Sequence, residues 1–363
     1  MTRLAMVTDT HVRAAEADLH GRLLRRMAEE IEAARCDVLL IGGDLAGRTV
    51  PHLASPVERN LLVAFIASLG LPTVVVRGNH DSLGDWDFLR ALPQVRYEDR
   101  PIRLEIGGFV GKSSGRPEKL VVTCIPWLDD PADLPDLSRP EWQADVVLGH
   151  AALRDGRIKP FGQPDVPKGD AFQLNGAQVL ADTGACLALF GHYHEPQEVV
   201  PGVFYGGSCF INDYGEPDNR GWTLVDLEAG SVEHRPLEQP RRELFVVPYR
   251  EYNPDFPEAL RTALSTTDSF VKLRVQANEN FLARAKAWVE EHFADAPVGR
   301  LRVEFDMQAA ERVREGAEAV SLASTCDAKF RHYLAARSKP ALPDVVARAT
   351  ELLGRIELDL RAT

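Results

Sequence analysis

Long apolar runs are missing from this chain. Nowhere in its 363 residues do ~18 uncharged apolar side chains follow one another, the length a membrane-spanning helix requires. No membrane span is expected, and the acid at Asp9 stands too early for a secretory leader. Paired cysteines are missing as well. Cys36, Cys124, Cys186, Cys209 and Cys326 are odd in number, scattered and never spaced C-x-x-C. That excludes a disulfide framework and a zinc ribbon, and a reducing, cytoplasmic setting is the expectation. A basic surplus is absent too, since the formal net charge is −12. Residues 241–363 hold 19 basic and 19 acidic side chains, so the first 240 residues carry all of that charge. Such an acidic half repels a polyanion unless bound cations or a partner compensate.

What is present is an ordinary globular composition, 45% apolar and 26% charged, on a chain long enough for more than one domain. Residues 3–7 form an apolar run that ends in Thr8-Asp9-Thr10-His11. Leu19, Leu23, Leu24, Met27 and Ile31 follow at helical spacing. The run Val38-Leu39-Leu40-Ile41 closes on Gly42-Gly43-Asp44, and after a second helical stretch at 55–69 the run 73–76 closes on Arg77-Gly78-Asn79-His80-Asp81. Near-continuous Val/Ile/Leu strands alternating with helices read as a sheet covered on both faces. Asp9, Asp44 and Asn79 are 35 residues apart, one βα repeat, which sets three polar strand ends along one sheet edge.

Further on, 102–106 and 120–125 read as strands around a polar loop at 107–119. The run 145–148 ends in Gly149-His150, and 185–190 ends in Gly191-His192-Tyr193-His194. Segments 203–208 and 222–227 look like closing strands of the same domain. Beyond Pro240 a strand (270–275), a helix (281–293) and a strand (300–305) predict a small α+β unit. Leu342, Val346, Ala349, Leu353, Ile356 and Leu360 form a heptad-like stripe, which wants a partner helix or packs on its own small domain.

Five apolar runs thus close on Asp, Asn or His. Any one of them is an everyday turn or surface histidine, but five in order point to a shared site. Asp9, His11, Asp44, Asn79, His80, His150, His192 and His194 offer carboxylate, amide and imidazole groups without a thiolate. That donor set suits two borderline or hard divalent cations rather than a structural zinc. Asp44, central and with two oxygens, is the candidate bridge. Two such cations orient a phosphate, generate a nucleophile from water and stabilise a leaving oxygen.

The series Asp9-x-His11, Gly42-Gly43-Asp44, Gly78-Asn79-His80-Asp81, Gly149-His150 and Gly191-His192-x-His194 resembles the calcineurin-like metallophosphoesterases. The resemblance implies a four-layer α/β/β/α sandwich, with a first metal on Asp9, His11, Asp44 and His194 and a second on Asp44, Asn79, His150 and His192. His80 would be the histidine beside the scissile phosphate, oriented by Asp81, and a metal-bridging hydroxide would attack phosphorus in line.

Within that superfamily the chain looks like the SbcD-type nuclease subunits. The likeness rests on Leu189-Phe190-Gly191-His192-Tyr193-His194-Glu195-Pro196-Gln197, on Tyr205-Gly206-Gly207-Ser208, and on the α+β unit with its helical tail. It implies a nuclease domain at 1–240, a DNA-contacting capping domain at 241–335 and a helical, ATPase-docking tail at 336–363. It also implies a manganese-dependent exonuclease and hairpin-opening endonuclease acting on DNA double-strand ends. Such a subunit would work as a homodimer within a heterotetramer with an SbcC-like SMC-type ATPase. Two divalent ions would add about +4 where the phosphate sits, locally outweighing the acidic surface. Basic groups gather at Lys112, Arg116 and Lys119, and at Arg154, Arg157, Lys159 and Lys168, the second loop being a candidate DNA contact. Two other readings stay open: a phosphomonoesterase or cyclic-nucleotide phosphodiesterase using the same metals, and a weakly active DNA-end-binding scaffold. Trp86 and Phe88 either stack on a base or cover the core edge.

Overall fold

Strand β1 (Arg3–Val7), helix α1 (Ala17–Ala33), strand β2 (Val38–Ile41), helix α2 (Pro56–Leu69), strand β3 (Thr73–Val76) and strand β4 (Val95–Glu98) follow one another, with all four strands parallel. The computed structural model describes residues 2–47, 53–110, 117–155, 172–248, 256–265, 269–277, 282–296 and 300–307. The first strands are apolar throughout because both faces are covered. Ala5, Val7, Leu39, Ile41 and Val75 pack with the helices, while Leu4, Met6, Val38, Leu40, Val74 and Val76 face the other way. Helix α2 starts where the sequence provides a capping box between Ser55 and Glu58 with Pro56 at its first position, and it stops at left-handed Gly70.

The chain then builds a second sheet. Strands β5 (Ile102–Val110) and β6 (Pro117–Ile125) form an antiparallel hairpin. Both run into the stretch expected as a loop at 107–119, with a register shift between Gly107 and Phe109. Strand β7 (Val146–His150), the two-residue strands β8 (Ala152–Leu153) and β9 (Gln173–Leu174), helix α3 (Gly176–Thr183) and strand β10 (Leu187–Gly191) follow. Next come β11 (Gln197–Val200), β12 (Val203–Tyr205), β13 (Gly221–Asp226) and β14 (Ser231–Pro236). Strand order is β14-β13-β1-β2-β3-β4 in one six-stranded sheet and β11-β12-β10-β7-β6-β5 in the other. Between them lies a core of Leu4, Met6, Leu40 and Val74 against Val122, Val146, Leu148 and Leu189. A third apolar cluster, with Val147, Phe190 and Val179, backs the second sheet on its α3 side. The protein therefore has the mixed α/β, two-sheet architecture that the resemblance implies, with β12 and β13 pairing in different sheets.

The chain divides into two compact units, Met1–Arg242 and Glu243–Thr363. The described part of the second holds all but the first two residues of strand β15 (Arg241–Pro248), then helix α4 (Phe256–Ser265), strand β16 (Ser269–Ala277), helix α5 (Leu282–Phe293) and strand β17 (Leu301–Met307). Strand order is β15-β16-β17, with β16 and β17 parallel. Val271, Leu273 and Val275 alternate into a core with Leu260, Leu264, Ala285 and Phe293 from the helices. Helix α4 was not legible beforehand. The heptad-like stripe at 342–360 and the basic residues Lys112, Arg116, Arg157, Lys159 and Lys168 lie outside the described residues. No helix among the described residues is long and apolar enough to cross a membrane.

Candidate metal centre

The turn after β1 carries Asp9 and His11, and it is laced to the turn after β2 that carries Asp44. Backbone bonds run from Asp9 N–H to Gly43 O (3.0 Å), from His11 N–H to Asp44 O (3.0 Å) and from Val12 N–H to Leu45 O (3.1 Å). The turn after β3 brings Asn79 and His80. From the second sheet, β7 ends on His150, and the turn after β10 carries His192 and His194. All eight sequence-predicted groups converge where the carboxyl ends of β1, β2, β3, β7 and β10 meet. Asp9, His11, Asp44 and His150 are buried, whereas Asn79, His80, His192 and His194 are half-buried.

The backbone is strained at this place. Of the five non-glycine residues with left-handed φ among the described residues, four are Asp9, His11, Asp44 and His192. Such strain persists only where surrounding bonds overdetermine it, and it gathers at functional sites. Space is equally tight: a Cβ on Gly78 would lie 2.1 Å from Asp44 Oδ1, and one on Gly191 would lie 2.2 Å from Thr8 Oγ1.

Hydrogen bonds behind the rings decide which nitrogen faces inward. His11 donates Nδ1–H to Gly47 O (2.6 Å) and His150 donates Nδ1–H to Gly42 O (2.7 Å), leaving an Nε2 lone pair on each ring toward the cluster. His194 Nδ1 lies 3.5 Å from Glu216 Oε1, which turns its Nε2 inward as well. His11 Nε2 and His194 Nε2 are then 3.2 Å apart. Asn79 Oδ1 is 2.9 Å from His150 Nε2 and 3.0 Å from His192 Nδ1. With its proton on Nδ1, His150 turns an Nε2 lone pair toward the Asn79 oxygen; two lone pairs so placed repel, and a cation between them turns repulsion into ligation.

The carboxylates carry the same message. Asp44 points Oδ2 toward His11 Nε2 (3.6 Å) and His80 Nε2 (3.9 Å), and Oδ1 toward His150 Nε2 (3.5 Å). Burial, then the charges of Asp9 and Asp81, pushes the Asp44 carboxyl well above its ordinary value. Burial likewise raises Asp9, against the opposing pull of His194. The His150 imidazole is driven well below its ordinary value, by burial and then by the charge of His192. Crowded, buried acids beside the His150 imidazole, itself held from protonation by burial, are what bound cations reconcile. Asp9, His11 and His194 offer ligand atoms within 4.8 Å of one another, as do Asp9, Asp44 and His150, and His11, Asp44 and His80. The residues present fit two divalent cations with Asp44 between them.

Asp81 corrects the expectation attached to it. Expected to orient the His80 ring, its carboxylate instead accepts backbone N–H bonds from Asp44, Leu45 and Gly78, each at 2.9 Å. It staples the second and third turns together and so shapes the loop that carries His80. Burial raises its carboxyl to about 6 despite those bonds. His80 is itself tied back, its N–H donating to Asp44 Oδ1 (2.9 Å).

Several supporting residues carry no ligand signal in the sequence, and most come from segments distant from the ligands they support. Thr8 Oγ1 donates to Asp9 Oδ2 (2.5 Å). Trp127 sets its ring 5.3 Å from His192 and 6.3 Å from His150, and its carbonyl accepts from Arg77 (2.6 Å). Glu216 and the fully buried Arg220 stand behind His194. Of the two loop aromatics, Trp86 is buried in the helix-side core, while Phe88 is exposed with Arg59 over its ring. Arg154 is exposed and bonds Gln173 (3.0 Å), and Lys119 pairs with Glu105 (2.6 Å).

A family model described as calcineurin-like phosphoesterase matches residues 2–196 of the chain. No curated protein matches it. Among solved structures, the chain is similar to GAP50, the anchor in the inner membrane complex of Plasmodium, at 13% identity and a TM-score of 0.42, over 69% of this chain and 99% of that one. It is similar to TT1561 of Thermus thermophilus at 15% identity and a TM-score of 0.39, over 65% of this chain and 99% of that one.

Proposed function

Since the chain belongs to the calcineurin-like phosphoesterase family, and so is a metal-dependent phosphoesterase, we propose that its substrate is DNA and that it acts as an SbcD-type nuclease. The observation that carries this reading is the full set of eight converging donors together with the half-buried Trp127 ring against His192, since an aromatic face beside the centre suits a stacked base. The motifs around Glu195-Pro196-Gln197 and Tyr205-Gly206-Gly207-Ser208, and a second α+β unit after Arg242, support the same reading.

Asp9, His11, Asp44 and His194 would hold one cation and Asp44, Asn79, His150 and His192 the other, with manganese the preferred ion. Bound there, two divalent cations supply positive charge to the phosphoryl oxygens and lower the pKa of a water. The protein's own residues do the rest. Asp81 and the laced turns hold Asp44 fixed between the two ligand sets. His80, whose side chain is 21% exposed, reaches the open side of the cluster, where its Nε2 donates a proton or hydrogen bond to the departing alkoxide. Trp127 excludes water from the His192 side and offers its face to the substrate.

The partners we propose are DNA ends and hairpins, a second copy of this chain and an SMC-type ATPase of the SbcC kind. Exposed Leu53, Val57, Leu83 and Phe88, on segments joined through the Ala54–Asp85 bond, favour a dimer surface. The net charge of −12, all of it in the first 240 residues, favours the second reading, a phosphomonoesterase or cyclic-nucleotide phosphodiesterase. Hydrolysis in manganese of linear duplex and hairpin DNA, set against a nucleotide monoester and a cyclic nucleotide, separates the two. Preference for the small substrates overturns the nuclease reading. His80→Gln lowers turnover by about 10²–10⁴-fold with metal affinity retained, and unchanged turnover removes His80 from its role.

A further inference from the structure

We propose that Glu216 is a positioning residue of the metal centre: it accepts the Nδ1–H of His194, fixes the tautomer and ring angle that present Nε2 inward, and is held in place by the buried guanidinium of Arg220. The proposal rests on reading the eight-residue cluster as a divalent-metal site.

Glu216 belongs to none of the five motifs and lies on the stretch between β12 and β13. Its side chain is 3% exposed, which is unusual for a glutamate without a task. One oxygen is committed: Oε2 accepts the backbone N–H of Asn212 (2.8 Å). That bond aims the other oxygen, Oε1, at His194 Nδ1 (3.5 Å).

Arg220 makes the arrangement specific. Its side chain is fully buried, with Nε 3.5 Å from Glu216 Oε2 and Nη1 2.9 Å from Glu195 Oε2. Glu195 directly follows His194 in the chain, so one guanidinium ties the residue beside the ligand to the residue behind its ring. Burying a cation between two carboxylates gains little stability over an apolar core. Its place here is to hold Glu216 and Glu195 in position around His194. His11 and His150 rest their Nδ1–H on neutral backbone carbonyls. A carboxylate behind a metal-binding histidine additionally raises the basicity of the ligating nitrogen.

The test uses the full chain and manganese alone. Calorimetric titration of wild type, Glu216→Ala and Glu216→Gln is expected to show a 10–100-fold weaker affinity for the alanine variant, the cost typical of such supporting groups. The glutamine variant should recover most of that loss, because its amide oxygen still accepts the Nδ1–H. Nitrogen-15 spectra of the metal-free wild type should find the His194 proton on Nδ1. Affinity unchanged in Glu216→Ala, or a His194 proton on Nε2 in wild type, overturns the proposal. Should Glu216→Ala not fold, the glutamine variant and the wild-type spectrum decide. A wild type that does not bind manganese overturns the metal-centre reading itself, an outcome distinct from normal binding that ignores Glu216.

Discussion

Replacing Gly78 by alanine should damage the metal centre although it replaces none of the proposed ligands. The added Cβ would lie 2.1 Å from Asp44 Oδ1, 2.3 Å from Asp44 N and 2.9 Å from Asp44 Cγ. Gly78 has no left-handed φ, so alanine suits the backbone there and the conflict is one of space alone. Neither side can yield cheaply. Asp44 N–H is bound to Asp81 and Asp44 Oδ1 to His80 N–H, both at 2.9 Å, and Gly78 N–H is bound to Asp81 at the same distance. Relief therefore shifts one turn by about 1 Å and loosens those bonds. Overpacking of this kind costs about 1–3 kcal/mol. For a unit of this size that lowers the melting temperature by about 2–12 °C. The same shift moves Oδ1 away from its place beside His150, so manganese affinity should fall by about tenfold or more. Thermal unfolding by circular dichroism, metal-free, and manganese titration measure the two effects. A melting temperature within about 1 °C of wild type, with affinity unchanged, would refute the packing argument.

Other outcomes follow from the same geometry. Manganese at 100 times its dissociation constant should stabilise the protein by about 2.7 kcal/mol, read as a rise in melting temperature that a chelator reverses; a flat response would deny a preformed site. Glu16 concerns stability and lies away from the centre. Burial raises its carboxyl, but the His20 and Arg242 hydrogen bonds and the charges of Arg242 and Arg13 outweigh it and hold the group at about 2. Its contribution is therefore complete above the ordinary value of 4.5 and is lost as pH falls toward about 2. Glu16→Gln should cost on the order of 1 kcal/mol at pH 7, after allowance for solvent screening, and close to nothing near pH 2; urea unfolding at both pH values checks the sign. Arg154→Ala combined with Arg157→Ala should weaken duplex binding and flatten its salt dependence; an untouched salt slope would take that loop out of the DNA contact.

Much of the site was legible because its residues close apolar runs. Val38–Ile41 and Thr73–Val76 alternate sides between two cores, so both read as continuous apolar strands, and the polar residue after each glycine had to lie at a strand end. What supports those residues was not legible. Asp81 sits next to His80 in sequence, yet its carboxylate serves the backbone of a turn 36 residues away. Phe204 and Trp222 lie on neighbouring strands in sequence, β12 and β13, that pair in different sheets, a choice made by partners rather than by either segment.

The sequence by itself determined the donor set, its order along the chain and its placement at strand ends, because residue type and short-range periodicity are local properties. Tertiary structure alone decided which nitrogen of His11, His150 and His194 faces inward, that Asp44 stands between His11 and His80 on one oxygen and His150 on the other, and that Glu216 and Arg220 back His194. Those depend on carbonyls, carboxylates and cations brought together across as many as 108 residues, as from Gly42 to His150, and pairings of that range leave no mark on any single stretch of chain.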